Sequence, residues 1–137
     1  MPARGESPPL RLVHPASGRV LATRLERPRT FVGRGLGLMF RRRLAAGEGM
    51  WIAPCNGIHT FFMRFPIDVV FLDRRRRVVR VYSALRSWRM VPLVLGAHSV
   101  VELPGGTLER LALPRGEPLA VERSHQGDAA GTGGSPA

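Results

Sequence analysis

Short apolar blocks separated by glycine, proline and arginine run along this chain of 137 residues, a pattern typical of short strands joined by tight turns. The blocks LRLVH and RVLATRL flank the sequence PASG, which predicts a first hairpin over residues 10–25. The apolar-rich run IDVVFL at 67–72 predicts a strand buried on both faces. An arginine turn at 74–77 and a return strand at 78–82 are expected to follow it.

A second hairpin is predicted in the middle of the chain. Residues 50–54 would form its first strand, and the return strand would span residues 58–65, up to Pro66. The dipeptide Asn56-Gly57 between them favours a two-residue type I′ turn, because both central residues of that turn need a positive φ. Residues on either side of this turn would then face one another across the two strands.

One or two short helices complete the predicted architecture. The first, over residues 30–43, has a partial helical spacing of apolar residues and is weakened by its glycines. The second follows Thr107 over residues 108–113, between a strand at 97–103 and a final strand at 118–122. The predicted fold class is therefore α+β: a small, mostly antiparallel, partly closed β-barrel-like sheet with one or two short helices.

Length and composition fit one ordinary domain, which we place at residues 10–122. Residues 1–9 are polar and proline-rich, and residues 123–137 are mainly Gly, Ala, Ser and Pro, so both segments are predicted to be disordered. No apolar run approaches the roughly 18 residues of a membrane-spanning helix, and the N-terminal residues lack the apolar core of a signal peptide. A cytoplasmic location without a membrane span is expected.

Positive charge is the strongest compositional feature. All 21 basic residues are arginine, and the net charge is +11. The absence of lysine also matches the codon bias of a GC-rich genome, but the charge itself favours weak, salt-sensitive binding to nucleic acid or other anionic surfaces. Runs of like charge are more often simply solvated. The candidates for phosphate contacts are Arg41, Arg42, Arg43, Arg74, Arg75, Arg76 and Arg77.

Four motifs occur in a recognisable order along the chain. They are GLMF at 37–40, GMW at 49–51, Met63 followed by PIDVVFLD at 66–73, and VELPGG at 101–106. In this combination they resemble the DUF192 family, a group of small bacterial and archaeal proteins of unknown function. The resemblance implies a compact α+β domain dominated by a partly closed sheet, and it brings no agreed catalytic residues.

Cys55 and His59 are the candidates for a thiol–imidazole pair, in which the imidazole would lower the thiol pKa and create a nucleophile. In the predicted hairpin, Cys55 is opposite Ile58 and His59 is opposite Pro54, so the two side chains point to opposite faces. A packing role for Cys55 and a core or rim position for His59 are therefore favoured. A single cysteine also excludes an internal disulfide.

Asp68 is the most unusual polar residue, because it alternates with valine and leucine on one face of an apolar strand. Burial of an ionised carboxylate is costly unless the group is paired or hydrogen-bonded. One interpretation is that Asp68 accepts backbone N–H bonds beside Pro66 and pins a bend. The other is that it lies at the mouth of a pocket, paired with Arg64 or His59.

No metal or cofactor is predicted. A metal site would require His59, Asp68 and a third ligand from Cys55, His14 or His98 to converge, and no spacing in the chain matches a zinc pattern.

The leading hypothesis is a non-enzymatic binding module for a small ligand or a protein partner. Its candidate ligand-binding residues are Asp68, His59, Arg64 and Trp51. The first alternative is a nucleic-acid-associated protein that uses the arginine clusters. The second is a Cys/His-dependent hydrolase with Cys55 as its nucleophile.

Overall fold

The computed structural model describes residues 9–27, 44–60 and 64–124. The strands in these residues are β1 (Leu10–His14), β2 (Arg19–Glu26), β3 (Glu48–Ile52), β4 (Ile58–His59), β5 (Ile67–Leu72), β6 (Val78–Leu85), β7 (Met90–Val91), β8 (Ser99–Pro104) and β9 (Ala120–Arg123). Seven of them form one sheet in the order β6-β5-β8-β3-β2-β1-β9, and β4 pairs with β7 separately. Strands β2 and β3 are parallel, and the other pairs are antiparallel.

The large sheet curls until its two edges touch, which makes it a partly closed barrel. Strand β6 forms one edge and β9 forms the other. An antiparallel bridge joins Arg77, just before β6, to Pro118, just before β9. The N–H of Val78 donates to the carbonyl of Glu117 at 2.9 Å, and the N–H of Gly116 donates to the carbonyl of Val78 at 2.7 Å. The contact gives edge-strand backbone groups partners within the chain.

The α+β fold class expected from the sequence is wrong, because the described chain is all-β. Its residues contain no helix, and therefore none that is long and apolar enough to cross a membrane. The predicted helix at 30–43 lies outside the described residues. Where the second helix was expected, residues 105–110 form successive turns. Arg110 has a φ of 59°, outside the right-handed helical region, so these turns do not continue as a helix. The barrel-like character of the sheet agrees with the sequence prediction.

The predicted hairpin around Asn56-Gly57 is also wrong. Strand β3 pairs with β2 and β8, whereas the chain after the dipeptide forms only the short β4, which pairs with β7. Neither Asn56 nor Gly57 is among the described residues with positive φ. Gly57 is needed for close approach instead, because a Cβ placed there would lie 2.4 Å from the carbonyl oxygen of Pro92. The first hairpin, in contrast, is confirmed as the antiparallel pair β1–β2.

Strand β5 is the centre of the core, and all six of its residues are buried, as its apolar sequence predicted. Its alternate side chains enter two clusters on opposite faces of the sheet. The inner cluster, inside the curl, includes Leu12, Leu21, Leu25, Trp51, Val70, Leu72, Val101, Leu103, Leu108 and Leu119. The outer cluster, beneath the β4–β7 pair, includes Met50, Ile52, Ile67, Val69, Phe71, Val91, Val94 and Val100.

Candidate functional site

Asp68 is buried in the wall of the barrel, and backbone groups occupy both of its carboxylate oxygens. Oδ1 accepts the N–H of Ala84 at 2.8 Å, and Oδ2 accepts the N–H of Leu108 at 2.8 Å. The register of β5 against β6 shifts between Ile67 and Val69, and Ala84 has a φ of 51°, so Asp68 faces a bulge in the edge strand. The carboxylate thus joins β6 to the turns after β8, which is the geometry of a structural pin.

The four predicted ligand-binding residues do not converge. Trp51 and Asp68 both point to the inner face, but Asp68 is committed to backbone N–H groups. His59 is exposed in the two-stranded sheet, opposite Met90. Arg64 is exposed in the bend before β5. Of the four, Trp51 has the surroundings best suited to a ligand.

Cys55 lies on the outer side of the sheet, where its environment works against reactivity. Its Sγ donates a hydrogen bond to the carbonyl of Gly57 at 2.9 Å. Burial raises the pKa of the Cys55 thiol, the hydrogen bond to Gly57 lowers it by a smaller amount, and the negative charge of Glu102 raises it further. A thiol with a raised pKa carries less thiolate near neutral pH, so Cys55 lacks the activation that a nucleophile requires.

Glu102 is a buried carboxylate that the sequence reasoning overlooked. It lies in β8 with 5% of its surface exposed, between Met50 of β3 and Val69 of β5. The strand sequence SVVELP already indicated this position. Successive residues of a strand face opposite sides, so if Val101 points inward, Glu102 lies on the same face as Val100. Its charge reaches the outer cluster, where it acts on the Cys55 thiol.

The most unusual arrangement of charge surrounds Trp51. The guanidinium carbon of Arg27 lies 4.6 Å from the centroid of the indole ring, and that of Arg76 lies 5.1 Å from it. Both guanidinium groups therefore lie within one Debye length of each other, about 10 Å at 0.1 M salt, and repel. Cation–π attraction, about 0.5–2 kcal/mol for each arginine, opposes that repulsion. We call Arg27, Trp51 and Arg76 the arginine–tryptophan site.

Trp51 itself is almost completely buried, with 5% of its surface exposed. Within the described part of the chain, its indole N–H has no hydrogen-bond partner. A buried donor without an acceptor costs about 1–3 kcal/mol, which calls for a specific explanation in a native fold. The site thus combines two cations and a donor, and among residues 9–27, 44–60 and 64–124 none of the three has an acidic partner.

Both arginines are brought to the ring by the backbone. Arg27 directly follows β2, whose Glu26 is in parallel register with Met50, so Arg27 comes level with Trp51. Arg76 lies in the loop after β5, where its N–H donates to the carbonyl of Asp73 at 3.0 Å. The Asp73 carboxylate holds the same loop by accepting two further backbone N–H bonds. Backbone hydrogen bonds therefore fix this loop, and they include a long-range one: the carbonyl of Arg76 accepts the N–H of Leu119 at 3.0 Å.

The chain is similar to known proteins over most of its length. A model of DUF192, described as "Uncharacterized ACR, COG1430", matches residues 12–121. This chain belongs to the DUF192 family. A UPF0127 protein of Thermococcus sibiricus is 33% identical over an alignment of 116 residues, and the match covers 81% of this chain and 74% of the relative. A UPF0127 protein of Thermococcus gammatolerans is 32% identical over an alignment of 111 residues, and that match covers 77% of this chain and 71% of the relative.

A solved structure supports the architecture. The crystal structure of a protein of unknown function from Novosphingobium aromaticivorans superposes with a TM-score of 0.69 at 26% identity. The match covers 88% of this chain and 89% of that protein. The family resemblance drawn from the motifs is thus confirmed, and it assigns no activity to the DUF192 chain.

A second polar cluster closes the barrel of this DUF192 protein. The Nδ1 atom of the buried His14 lies 2.7 Å from Ser17 Oγ, and its Nε2 atom lies 3.0 Å from Glu117 Oε1. Ser17 Oγ also accepts the N–H of Arg19 at 3.2 Å. The three side chains join the β1–β2 turn to the segment that bridges the sheet edges, so their role is structural.

The remaining predicted residues separate into two groups. Arg41, Arg42 and Arg43 lie outside the described residues. Arg74, Arg75 and Arg77 are exposed around the loop that carries Arg76. Within the described part of the chain, no group of three or more His, Cys, Asp or Glu residues could hold a metal ion.

Proposed function

We propose that this DUF192 protein is a non-enzymatic binding module for a small anionic ligand, held at the arginine–tryptophan site. The observation that carries the proposal is the convergence of two guanidinium groups on one buried indole. Among the described residues, neither Arg27 nor Arg76 takes part in an ion pair with a carboxylate. An anion between them would relieve their mutual repulsion and supply the missing counter-charge.

The chemistry of the three side chains defines the ligand class. Guanidinium groups bind carboxylates and phosphates through paired, charge-assisted hydrogen bonds. The indole of Trp51 adds an aromatic face and an N–H donor that has no partner among the described residues. The ligand expected here is therefore a carboxylate or phosphate monoester on a flat or apolar body.

The surroundings of the candidate nucleophile support a binding role rather than hydrolysis. The Cys55 thiol donates to the Gly57 carbonyl, and its pKa is raised by burial. The exposed His59 pairs with Met90 in the small sheet, whereas the N–H of Cys55 donates to the carbonyl of His98 at 2.8 Å. The proposal accordingly gives Cys55 a packing role, and it leaves Asp68 as a pin of the barrel wall.

Nucleic acid is the alternative anion, because Arg74, Arg75 and Arg77 are exposed beside Arg76. A polyphosphate backbone would engage the whole cluster, and its affinity would fall steeply with salt. A small ligand at the arginine–tryptophan site depends instead on Arg27 and Trp51, and a single anionic group gives a shallow salt dependence. The two functions therefore differ in the residues they require.

The test uses the fluorescence of Trp51 in a Trp88→Phe background, since the chain contains two tryptophans. The probes are phenyl phosphate, benzoate, inorganic phosphate and a single-stranded oligonucleotide. We expect phenyl phosphate or benzoate to perturb the emission saturably. Each of Arg27→Gln and Arg76→Gln should weaken binding about tenfold or more, because a charge-assisted hydrogen bond contributes about 1.5–3 kcal/mol.

Arg110→Gln is the matched control, because it removes the same charge from an exposed arginine in the turns at the Asp68 end of β5. Equal weakening by Arg110→Gln would mean that only net charge matters, and the proposed site would be wrong. Oligonucleotide binding that survives Arg27→Gln but is lost when Arg74 and Arg75 become Gln would favour the nucleic-acid alternative.

A further inference from the structure

Four large apolar side chains are exposed within a segment of eight residues. Single apolar residues scattered over a surface are ordinary, but such a concentration in one segment is not. The four are Trp88, Met90, Leu93 and Leu95, with exposed fractions of 58%, 59%, 55% and 78%. We call them the apolar patch. The other large hydrophobic residue exposed in the described chain is Val20, on β2.

The segment that carries the patch is anchored rather than loose. Val91 and Val94 point inward and are buried in the outer cluster, so the patch residues are on the outward side of the same stretch. The N–H of Val94 donates to the carbonyl of Asn56 at 2.7 Å. Before β7, the buried Thr60 accepts the N–H of Arg89 through Oγ1 at 2.8 Å. The apolar side chains are thus held in solvent by a fixed backbone.

Trp88 is presented outward at a conformational cost. Its φ is 62°, in the left-handed region that non-glycine residues rarely adopt. Its N–H donates to the carbonyl of Thr60 at 2.9 Å, which fixes this turn against the small sheet. A strained backbone that places a tryptophan in solvent is typical of residues used in recognition.

The segment that carries the patch contains charge of one sign only. Residues 86–101 include two arginines and no acidic residue. Both are exposed: Arg86 precedes Trp88 by two positions, and Arg89 follows it directly. A partner that covers the patch must therefore offer apolar material inside a negatively charged boundary.

We propose that the apolar patch docks the protein on an anionic lipid surface, with Trp88, Met90, Leu93 and Leu95 in the interface and Arg86 and Arg89 at the headgroups. A bilayer rich in acidic lipids combines negative headgroups with apolar depth, and tryptophan prefers that boundary. Nucleic acid fits less well, because it would use the arginines and leave three aliphatic side chains exposed. The proposal is independent of the arginine–tryptophan site.

The test measures co-flotation of the full chain with vesicles of phosphatidylcholine mixed with phosphatidylserine, against vesicles of phosphatidylcholine alone. Binding is expected to the mixed vesicles only. The double variant Arg86→Gln/Arg89→Gln should weaken partitioning about 30-fold at low salt, since each arginine near the surface adds about a fivefold preference. Leu95→Ser should weaken it about five- to tenfold through lost apolar burial.

Val20→Ser is the matched control for apolar loss, and Arg110→Gln is the control for charge loss. Both should bind like the unaltered chain. Brominated lipids should quench Trp88 on binding, which surface charge alone would not achieve. Equal binding to phosphatidylcholine alone, or equal loss in Val20→Ser, would overturn the proposal. Binding to immobilised polyglutamate without binding to vesicles would also overturn it, because that result would indicate an acidic protein partner.

Discussion

Replacing Asp68 with asparagine tests whether this carboxylate is a structural pin. The substitution keeps the size of the side chain but turns one of the two acceptor oxygens into an NH₂ donor. In the native fold each oxygen accepts one backbone N–H, from Ala84 and from Leu108, both at 2.8 Å. Asparagine can serve only one of these groups, and its NH₂ would then face the other.

The expected loss of stability follows from these contacts. A hydrogen bond to a charged group contributes about 1.5–3 kcal/mol, and a buried donor left without an acceptor adds its desolvation cost. Removing a buried negative charge offsets part of this loss. We therefore expect Asp68→Asn to lower the free energy of unfolding by about 2–4 kcal/mol. Since small domains are stable by about 5–15 kcal/mol, the variant should still fold.

Asp73→Asn is the matched control, because the same change occurs at a carboxylate of different geometry. A single oxygen of Asp73, Oδ1, accepts the N–H groups of Arg75 and Arg77, at 2.8 and 3.0 Å. Asparagine retains such an oxygen, and the loop is exposed, so we expect a change below about 1 kcal/mol.

Urea unfolding monitored by circular dichroism provides the measurement, and hydrogen exchange locates the change. The midpoint for Asp68→Asn should fall by about 1–2 M, given typical slopes of 1–3 kcal/mol per molar urea. Exchange should accelerate first at the amides of Ala84 and Leu108. Similar midpoints for Asp68→Asn and Asp73→Asn, or unchanged protection at those two amides, would refute the pin.

Two further predictions concern Gly57 and Cys55. Gly57→Ala should lower the free energy of unfolding by about 3 kcal/mol, because its Cβ would lie 2.4 Å from a carbonyl oxygen. Gly96→Ala should lower it by only about 1–2 kcal/mol, because Gly96 has a φ of +85° but open space around it. Equal urea midpoints for the two variants would contradict this. The Cys55 thiol should react with Ellman's reagent more slowly than a free cysteine peptide at pH 8, because its pKa is raised. The pKa of the thiol is higher in the folded than in the unfolded protein. The difference in free energy of unfolding between the unaltered chain and Cys55→Ser should therefore be largest below the unfolded pKa and shrink as pH rises; a difference that does not change with pH would contradict the raised pKa.

Local patterns were sufficient where the environment depends on a single segment. The apolar run of β5 predicted burial on both faces, and the turn sequence at 15–18 predicted the β1–β2 pair. Both features depend on the periodicity or turn chemistry of adjacent residues. The order of motifs was equally informative, because it identified the family before any contact was known.

Long-range contacts account for the predictions that failed. Asn56-Gly57 is a strong local hairpin signal, but the chain at Gly57 is pressed against the carbonyls of residues 91 and 92, and β3 finds its partners in β2 and β8. The segment after Thr107 forms turns in which Arg110 has a φ of 59°, and the N–H of Leu108 donates to Asp68, forty residues earlier. No local pattern can show which distant group a turn will contact.

The candidate site was only partly accessible to sequence reasoning for the same reason. Trp51 and Arg76 were both named as candidates, but in different roles, since 25 positions separate them in the sequence. The link between them is the curl of the sheet, which brings the loop after β5 over the ring, and the parallel pairing of β2 with β3, which adds Arg27. Periodicity cannot reveal such a convergence.

The roles of the signature residues indicate where the function of this chain should be sought. In PIDVVFLD, the carboxylates of Asp68 and Asp73 both accept hydrogen bonds from backbone N–H groups. The residues between them pack in the two core clusters. The motif therefore forms the barrel wall, and Asp73 Oδ2 is the one carboxylate oxygen of these two residues without a backbone N–H bond among the described residues. Ligand binding must therefore come from other side chains that the wall supports. The arginines that flank Trp51 and the exposed side chains after β6 are the groups in that position, and they are testable separately.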